Sequence, residues 1–132
     1  MSGGAGEILI QPVSGLPEVL PGDDLAAALA ALVRFSQGDV LAVSQKVVSK
    51  QEGRLVDLRK VEPGPPAVKL AAELDRDPRL VELILGESVK VIRTDAERGI
   101  LITETRHGFI CANAGIDSSN APGDETVVLL PE

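Results

Sequence analysis

The chain has 132 residues, with 13 Lys and Arg against 20 Asp and Glu and a net charge of −7. That length fits one domain with its own core, and a 44% hydrophobic content excludes a disordered polyelectrolyte. The acidic balance argues against a broad nucleic-acid or anionic-lipid surface, and one Cys with one His excludes an internal disulfide or a zinc site of several soft ligands.

Two Phe and no Trp or Tyr leave no face on which bases could stack in series. Any metal would be a hard ion held by oxygen. No window approaches the ~18 apolar residues of a membrane span. The start, MSGGAGEILIQPV, lacks the basic and apolar regions of a signal peptide, so a cytoplasmic location is expected.

Taken in chain order, residues 1–6 read as a flexible Gly and Ser tail and residues 7–132 as the domain. Residues 8–13 read as a strand and 14–18 as a loop. Pro21, Gly22, Asp23 and Asp24 form a helix start, with Asp23 or Asp24 at the N-cap. Residues 25–35 place Leu25, Leu29, Leu32 and Val33 on one helical face. After a turn at 37–39, residues 40–43 read as a buried strand. The polar stretch 44–54 is compatible with a strand or a helical turn. Beyond a Pro-rich connector at 61–66, two short helices are expected at 66–75 and 78–88. Strands follow at 89–93, 100–104, 108–112 and 126–130. Strands and helices do not alternate, so the expected class is α+β, with a mixed or antiparallel sheet and a few short helices.

No phosphate-binding loop of the common kinds is present, nor a zinc, thiol-redox or serine-hydrolase motif. Three constellations remain. In Ser44-Gln45-Lys46-Val47-Val48-Ser49-Lys50, two lysines and two hydroxyls follow a predicted strand, with no acidic residue between Asp39 and Glu52. Lysines bind phosphate as point charges and hydroxyls add hydrogen bonds, although a solvated edge protected by Lys would look the same. In 111–120, small residues precede Asp117, Ser118, Ser119 and Asn120. Such a turn could offer a carboxylate to Mg²⁺ or Mn²⁺ or simply bond its own backbone. One Asp cannot complete an octahedral site. In Thr105-Arg106-His107-Gly108-Phe109, the His could shuttle protons or sit in a hairpin turn as a structural residue. Cys111 reads as a small core hydrophobe.

The order and spacing of these segments are more specific than any one of them. Gly15-Leu16-Pro17-Glu18, Pro21-Gly22-Asp23-Asp24-Leu25, the 44–54 segment, Asp77-Pro78-Arg79-Leu80, Arg106-His107-Gly108-Phe109 and Asn113-Ala114-Gly115-Ile116-Asp117-Ser118-Ser119-Asn120 occur in sequence. Together they resemble the N-terminal half of the coenzyme F420-0:L-glutamate ligases (F420:γ-glutamyl ligases). The resemblance runs from about Ile8 to the last residue.

This resemblance implies the N-terminal portion of that family's fold and GTP-dependent amide-bond formation through an acyl phosphate. L-glutamate would be added to coenzyme F420-0, followed by further γ-linked glutamates, with Mg²⁺ or Mn²⁺ and in a homodimer. It places Leu16, Pro17, Glu18, Val19, Gln45, Lys50 and Asn120 at nucleotide contacts and Asp117 at a metal ligand. It gives no role to Lys46, Arg106 or His107. Family domains continue beyond Glu132, and the resemblance implies that the remaining half carries an Asp-Thr pair with further metal ligands. A fragment, a split protein whose second polypeptide supplies that half, and a non-catalytic binding or assembly domain are all compatible with this. A blander expectation is an oligomerising domain whose last strand, 127–130, pairs with another subunit.

Overall fold

The computed structural model describes residues 8–119 and 124–132. The first helix shows how local chemistry sets its limits. Helix α1 (Leu25–Leu32) is capped by Asp24, whose carboxylate accepts from the Ala27 N–H at 2.9 Å. Asp23 is turned back instead, accepting from the Leu20 N–H at 2.7 Å. Leu25 and Leu29, one turn apart, are buried against Val19, with Val13, Leu16 and Val47 at the margin. The helix ends earlier than its apolar pattern predicts, because Val33 is already extended.

Residues 45–51, undecided by periodicity, form helix α2 (Gln45–Gln51). Its fully buried Ser49 accepts from the Gln45 amide at 2.7 Å, an i,i+4 contact that only a helix brings together. Strand β1 (Leu55–Asp57) follows, then a 3-10 turn, Leu58–Lys60, and two helices. Helix α3 (Pro65–Leu74) begins with two prolines, whose missing N–H groups cost nothing in a first turn. It stops at Asp75, which adopts φ 50°. Helix α4 (Pro78–Gly86) is capped by Asp77, which also holds the Arg79 guanidinium at 2.7 Å. Ala67, Ala71 and Leu74 of α3 meet Leu80, Val81 and Ile84 of α4 in the main core.

Strands β2 (Ser88–Asp95), β3 (Ile100–Thr105) and β4 (Ile110–Ala112) make an antiparallel sheet in that order. Along β3, Leu101, Thr103 and Thr105 are buried, while Ile100, Ile102 and Glu104 are half-buried. This is the alternation of a sheet with one covered face. A 3-10 turn, Asn113–Gly115, leads to Asp117, which is bridged to Val128 of β5 (Thr126–Val128). On its other side β5 pairs with β1, Leu55 opposite Val128. The architecture is α+β with antiparallel sheets.

Three expectations are corrected. Residues 8–13 and 40–43 are in no strand, and Val40, expected to be buried, is 92% exposed. A strand needs a ladder partner, and the described residues supply none for either segment. Strand β5 is not a free edge for another subunit, since its two sides carry β1 and Asp117 and Val127, Val128 and Leu129 are buried. The expected N-terminal tail lies outside the described residues.

Gly115 is where close packing demands glycine. Its φ is +71°, and a Cβ there would lie 2.8 Å from Leu130 Cγ and Cδ1. Gly115→Ala should therefore lose roughly 1–3 kcal/mol of stability, from left-handed strain and overpacking. Urea unfolding measures this, and a loss below about 0.5 kcal/mol would show that the Leu130 contact is not tight.

Candidate functional site

Helix α2 carries the site because the chain on either side of it is tied down. Its first turn is held to the end of β5 by the Gln45 amide, which donates to the Leu129 carbonyl at 3.3 Å. Past its last turn, the Gly22 N–H donates to the Gln51 carbonyl at 2.8 Å, drawing in the loop before α1. The two loops that the sequence singles out, 15–19 and 117–119, thus come to the same helix.

Between α2 and residues 16–19 lies a hollow of about 230 Å³. Leu16, Pro17, Glu18 and Val19 line one wall, and Lys46 and Lys50 the other. Lys50 Nζ lies 3.3 Å from Glu18 Oε1 and Lys46 Nζ lies 2.8 Å from Asp117 Oδ2. Asp117 also accepts from the Ser119 N–H at 2.9 Å and its hydroxyl at 2.5 Å. Two cations one helical turn apart, with apolar Leu16 and Val19 opposite, suit a ligand carrying anionic and apolar parts.

The structure thus gathers five of the sequence-predicted residues, Leu16, Pro17, Glu18, Val19 and Lys50, around one hollow. Asp117 stands beside it through Lys46. Gln45 does not line it, since its amide nitrogen is spent on Ser49 and Leu129. Asn120 lies outside the described residues. His107 belongs elsewhere, with its Nε2 2.8 Å from the Pro131 carbonyl, in a hollow shared with Arg54, Glu87 and Arg106. Lys46 is the functional candidate to which sequence reasoning gave no role. Its membership in the same acid-free run was visible, but its partner was not.

The Lys46 ammonium, followed by the Ser119 hydroxyl and N–H, holds the Asp117 carboxyl well below the usual carboxylate range. A depressed folded value means that the pair's contribution is complete above the unfolded value of about 3.9. It is lost only as pH falls through the folded value. Lys46→Met should raise the Asp117 midpoint toward that ordinary value while Ser119 keeps part of the shift. A carbon-13 carboxyl titration checks this, and an unmoved midpoint would remove Lys46 as the cause.

The same geometry bears on a metal. Among the described residues, no three His, Cys, Asp or Glu are grouped so as to hold an ion. Asp117 offers one carboxylate with an ammonium already on it, a donor set that does not fit a divalent cation unaided. No described helix is long and apolar enough to cross a membrane.

Comparison with known proteins gives the family of the chain. Residues 15–132, which include the whole hollow and Asp117, match the family model described as F420-0:Gamma-glutamyl ligase. The chain belongs to the F420-0:gamma-glutamyl ligase family. A similar protein is the coenzyme F420:L-glutamate ligase of Methanopyrus kandleri, 46% identical over 130 residues, covering 98% of this chain and 50% of that protein. Those of Methanothermobacter thermautotrophicus and Natronomonas pharaonis are 42% and 44% identical, covering 82% and 91% of this chain and 44% and 48% of theirs. The chain spans about half the length of these curated relatives.

Proposed function

We propose that this chain carries part of the active site of a ligase that joins L-glutamate to coenzyme F420-0. The observation that carries the reading is the family match over residues 15–132, laid over a hollow where Lys46 and Lys50 face residues 16–19. Residues 7–132 would be the N-terminal portion of the ligase domain.

The chemistry asks for a phosphate donor, because a carboxylate is a poor electrophile at neutral pH. In the proposed sequence an F420-0 carboxylate oxygen attacks the γ-phosphorus of GTP. The bond to the bridging oxygen breaks and GDP leaves. The glutamate amine then attacks the acyl carbon, loses a proton, and expels inorganic phosphate. GTP is taken from the family resemblance.

Lys50 and Lys46 would meet phosphate oxygens as point charges, and Leu16 and Val19 would pack an apolar ligand surface. Lys50 would exchange Glu18, an exposed partner in an ion pair worth little, for a phosphate. At about 230 Å³ the hollow suits a group of phosphates better than a whole nucleotide. The remaining contacts would come from Asn120 and from outside this chain. The Mg²⁺ or Mn²⁺ that the resemblance implies would need most of its ligands from elsewhere, and no step here runs through it.

A second reading is a binding or assembly domain that keeps the family fold without catalysis. The observation favouring it is Lys46 seated on Asp117, which occupies the carboxylate of this chain that the resemblance implies as a metal ligand. Mass-resolved turnover separates the two. The chain would be incubated with F420-0, L-glutamate, GTP and Mg²⁺ or Mn²⁺, with and without a polypeptide covering the other half of a relative. A mass gain of one glutamate only when both are present supports a shared active site. No product from a folded mixture favours the assembly domain. Turnover by the chain alone would show that these residues suffice.

A further inference from the structure

Next to the candidate site lies a larger apolar groove, of about 890 Å³, between residues 8–13 and 38–44. Its sides are extended chain with the composition of strands, Ile8-Leu9-Ile10 and Val40-Leu41-Ala42-Val43. Leu25 and Leu29 form part of its floor. Ile8 is 86% exposed, Ile10 87% and Val40 92%, whereas comparable Val and Ile side chains in β5 and α4 are buried. Within the described residues, neither 8–13 nor 40–43 makes a backbone hydrogen bond to another segment. Apolar side chains in water beside a row of unpaired N–H and C=O groups are the signature of a sheet edge awaiting a strand.

We infer that this groove is the seat of an extended, apolar segment from the other half of the ligase polypeptide, which pairs with residues 8–11 and 40–43 by β-addition. Three observations choose this occupant. The relatives are about twice the length that this chain matches, so the family has a polypeptide of suitable size to supply it. The demand is for backbone pairing as well as apolar cover, which a small ligand cannot meet. Leu16, Ser44 and Val47 line both this groove and the 230 Å³ hollow, so a strand seated here would wall the candidate site. Pro12, which has no N–H, limits the first ladder to the residues before it. The identity of the partner rests on the ligase reading above; the need for a strand does not.

The test is co-expression of the 132-residue chain with a tagged polypeptide comprising the unmatched half of the Methanopyrus kandleri relative, without nucleotide, glutamate or F420-0. The expected result is a one-to-one complex in which amide exchange at residues 8–11 and 40–43 slows at least ~100-fold relative to the chain alone. Ile10→Asp combined with Val40→Asp should weaken the complex at least ~10-fold while α3 and α4 keep their protection. Leu41→Pro, which removes a ladder donor, should act in the same direction. Absence of a complex, or a complex in which these amides exchange at their free rate, overturns the inference. Protection that arises in the chain alone as its concentration rises would assign the groove to a second copy, also overturning it. A protected complex that forms no product once F420-0, L-glutamate, GTP and Mg²⁺ or Mn²⁺ are added sinks the ligase reading and leaves the docking surface standing.

Discussion

On the ligase reading proposed above, Asp117→Asn, assayed together with the other half of a relative, is expected to lower glutamate addition at least ~100-fold while leaving the fold intact. The Asn side chain can still accept from the Ser119 N–H and hydroxyl, so the turn at 117–119 survives. What disappears is the negative charge that Lys46 meets at 2.8 Å. That charge fixes where the Lys46 ammonium sits, and misplacing a positioned group beside a reacting centre can cost about 10² in rate. Lys50→Ala should give a loss of similar size through a different parameter, because a phosphate-binding point charge acts partly in the ground state and so raises the KM for GTP. Steady-state kinetics with mass-resolved product, alongside a far-UV CD spectrum, check both variants. Unchanged turnover in folded Asp117→Asn would end the site assignment. Turnover lost in Asp117→Asn but unchanged in Lys50→Ala would confine the site to the 117–119 loop.

Ile84→Ala is expected to cost 2–5 kcal/mol of folding stability, the usual range for emptying an isoleucine-sized space in a tight core. Ile84 is completely buried on α4, in the cluster that holds Leu74, Val81, Leu101 and Val127. These residues come from α3, α4, β3 and β5, so the cavity would weaken the junction on which both sheets rest. Domains of this kind are stable by about 5–15 kcal/mol in total, and such a loss would move the urea midpoint far down with an unchanged slope. Leu32→Ala is the comparison. Leu32 ends α1 and is 42% exposed, so the change should cost less than about 1 kcal/mol. Equal costs at the two positions would mean that the α3–α4 junction is not the principal core.

Much of this was legible in the sequence because its physical cause is local. Asp24 before Leu25 is one of the two caps that the sequence offers there, and α1 starts where it predicts; α4 likewise starts at Pro78, as expected, and the structure shows Asp77 capping it. The apolar run at 100–102 marks a strand, and β3 forms there; which face is covered is not in that run, since Thr103 and Thr105 are buried while Ile100 and Ile102 are half-buried. The ordered motifs point to the ligase family, and the match over residues 15–132 upholds that reading.

Other features depend on what the chain meets after it folds. Residues 45–51 are a helix because Ser49 is buried under Gln45 and the Leu129 carbonyl waits for the Gln45 amide. Periodicity over seven residues, of which only Val47 and Val48 are apolar, cannot show that. Residues 8–13 and 40–43 have the composition of strands, yet a strand exists only with a partner, and composition does not encode where the partner is. The pairing of Lys46 with Asp117 arises only because β5 carries Asp117 on one side and β1 on the other. Caps, turns and apolar runs belong to neighbouring residues and can be read from their order; a ladder partner, or a charge meeting its counterion across the core, is settled by the fold, because the groups that meet there are far apart along the chain.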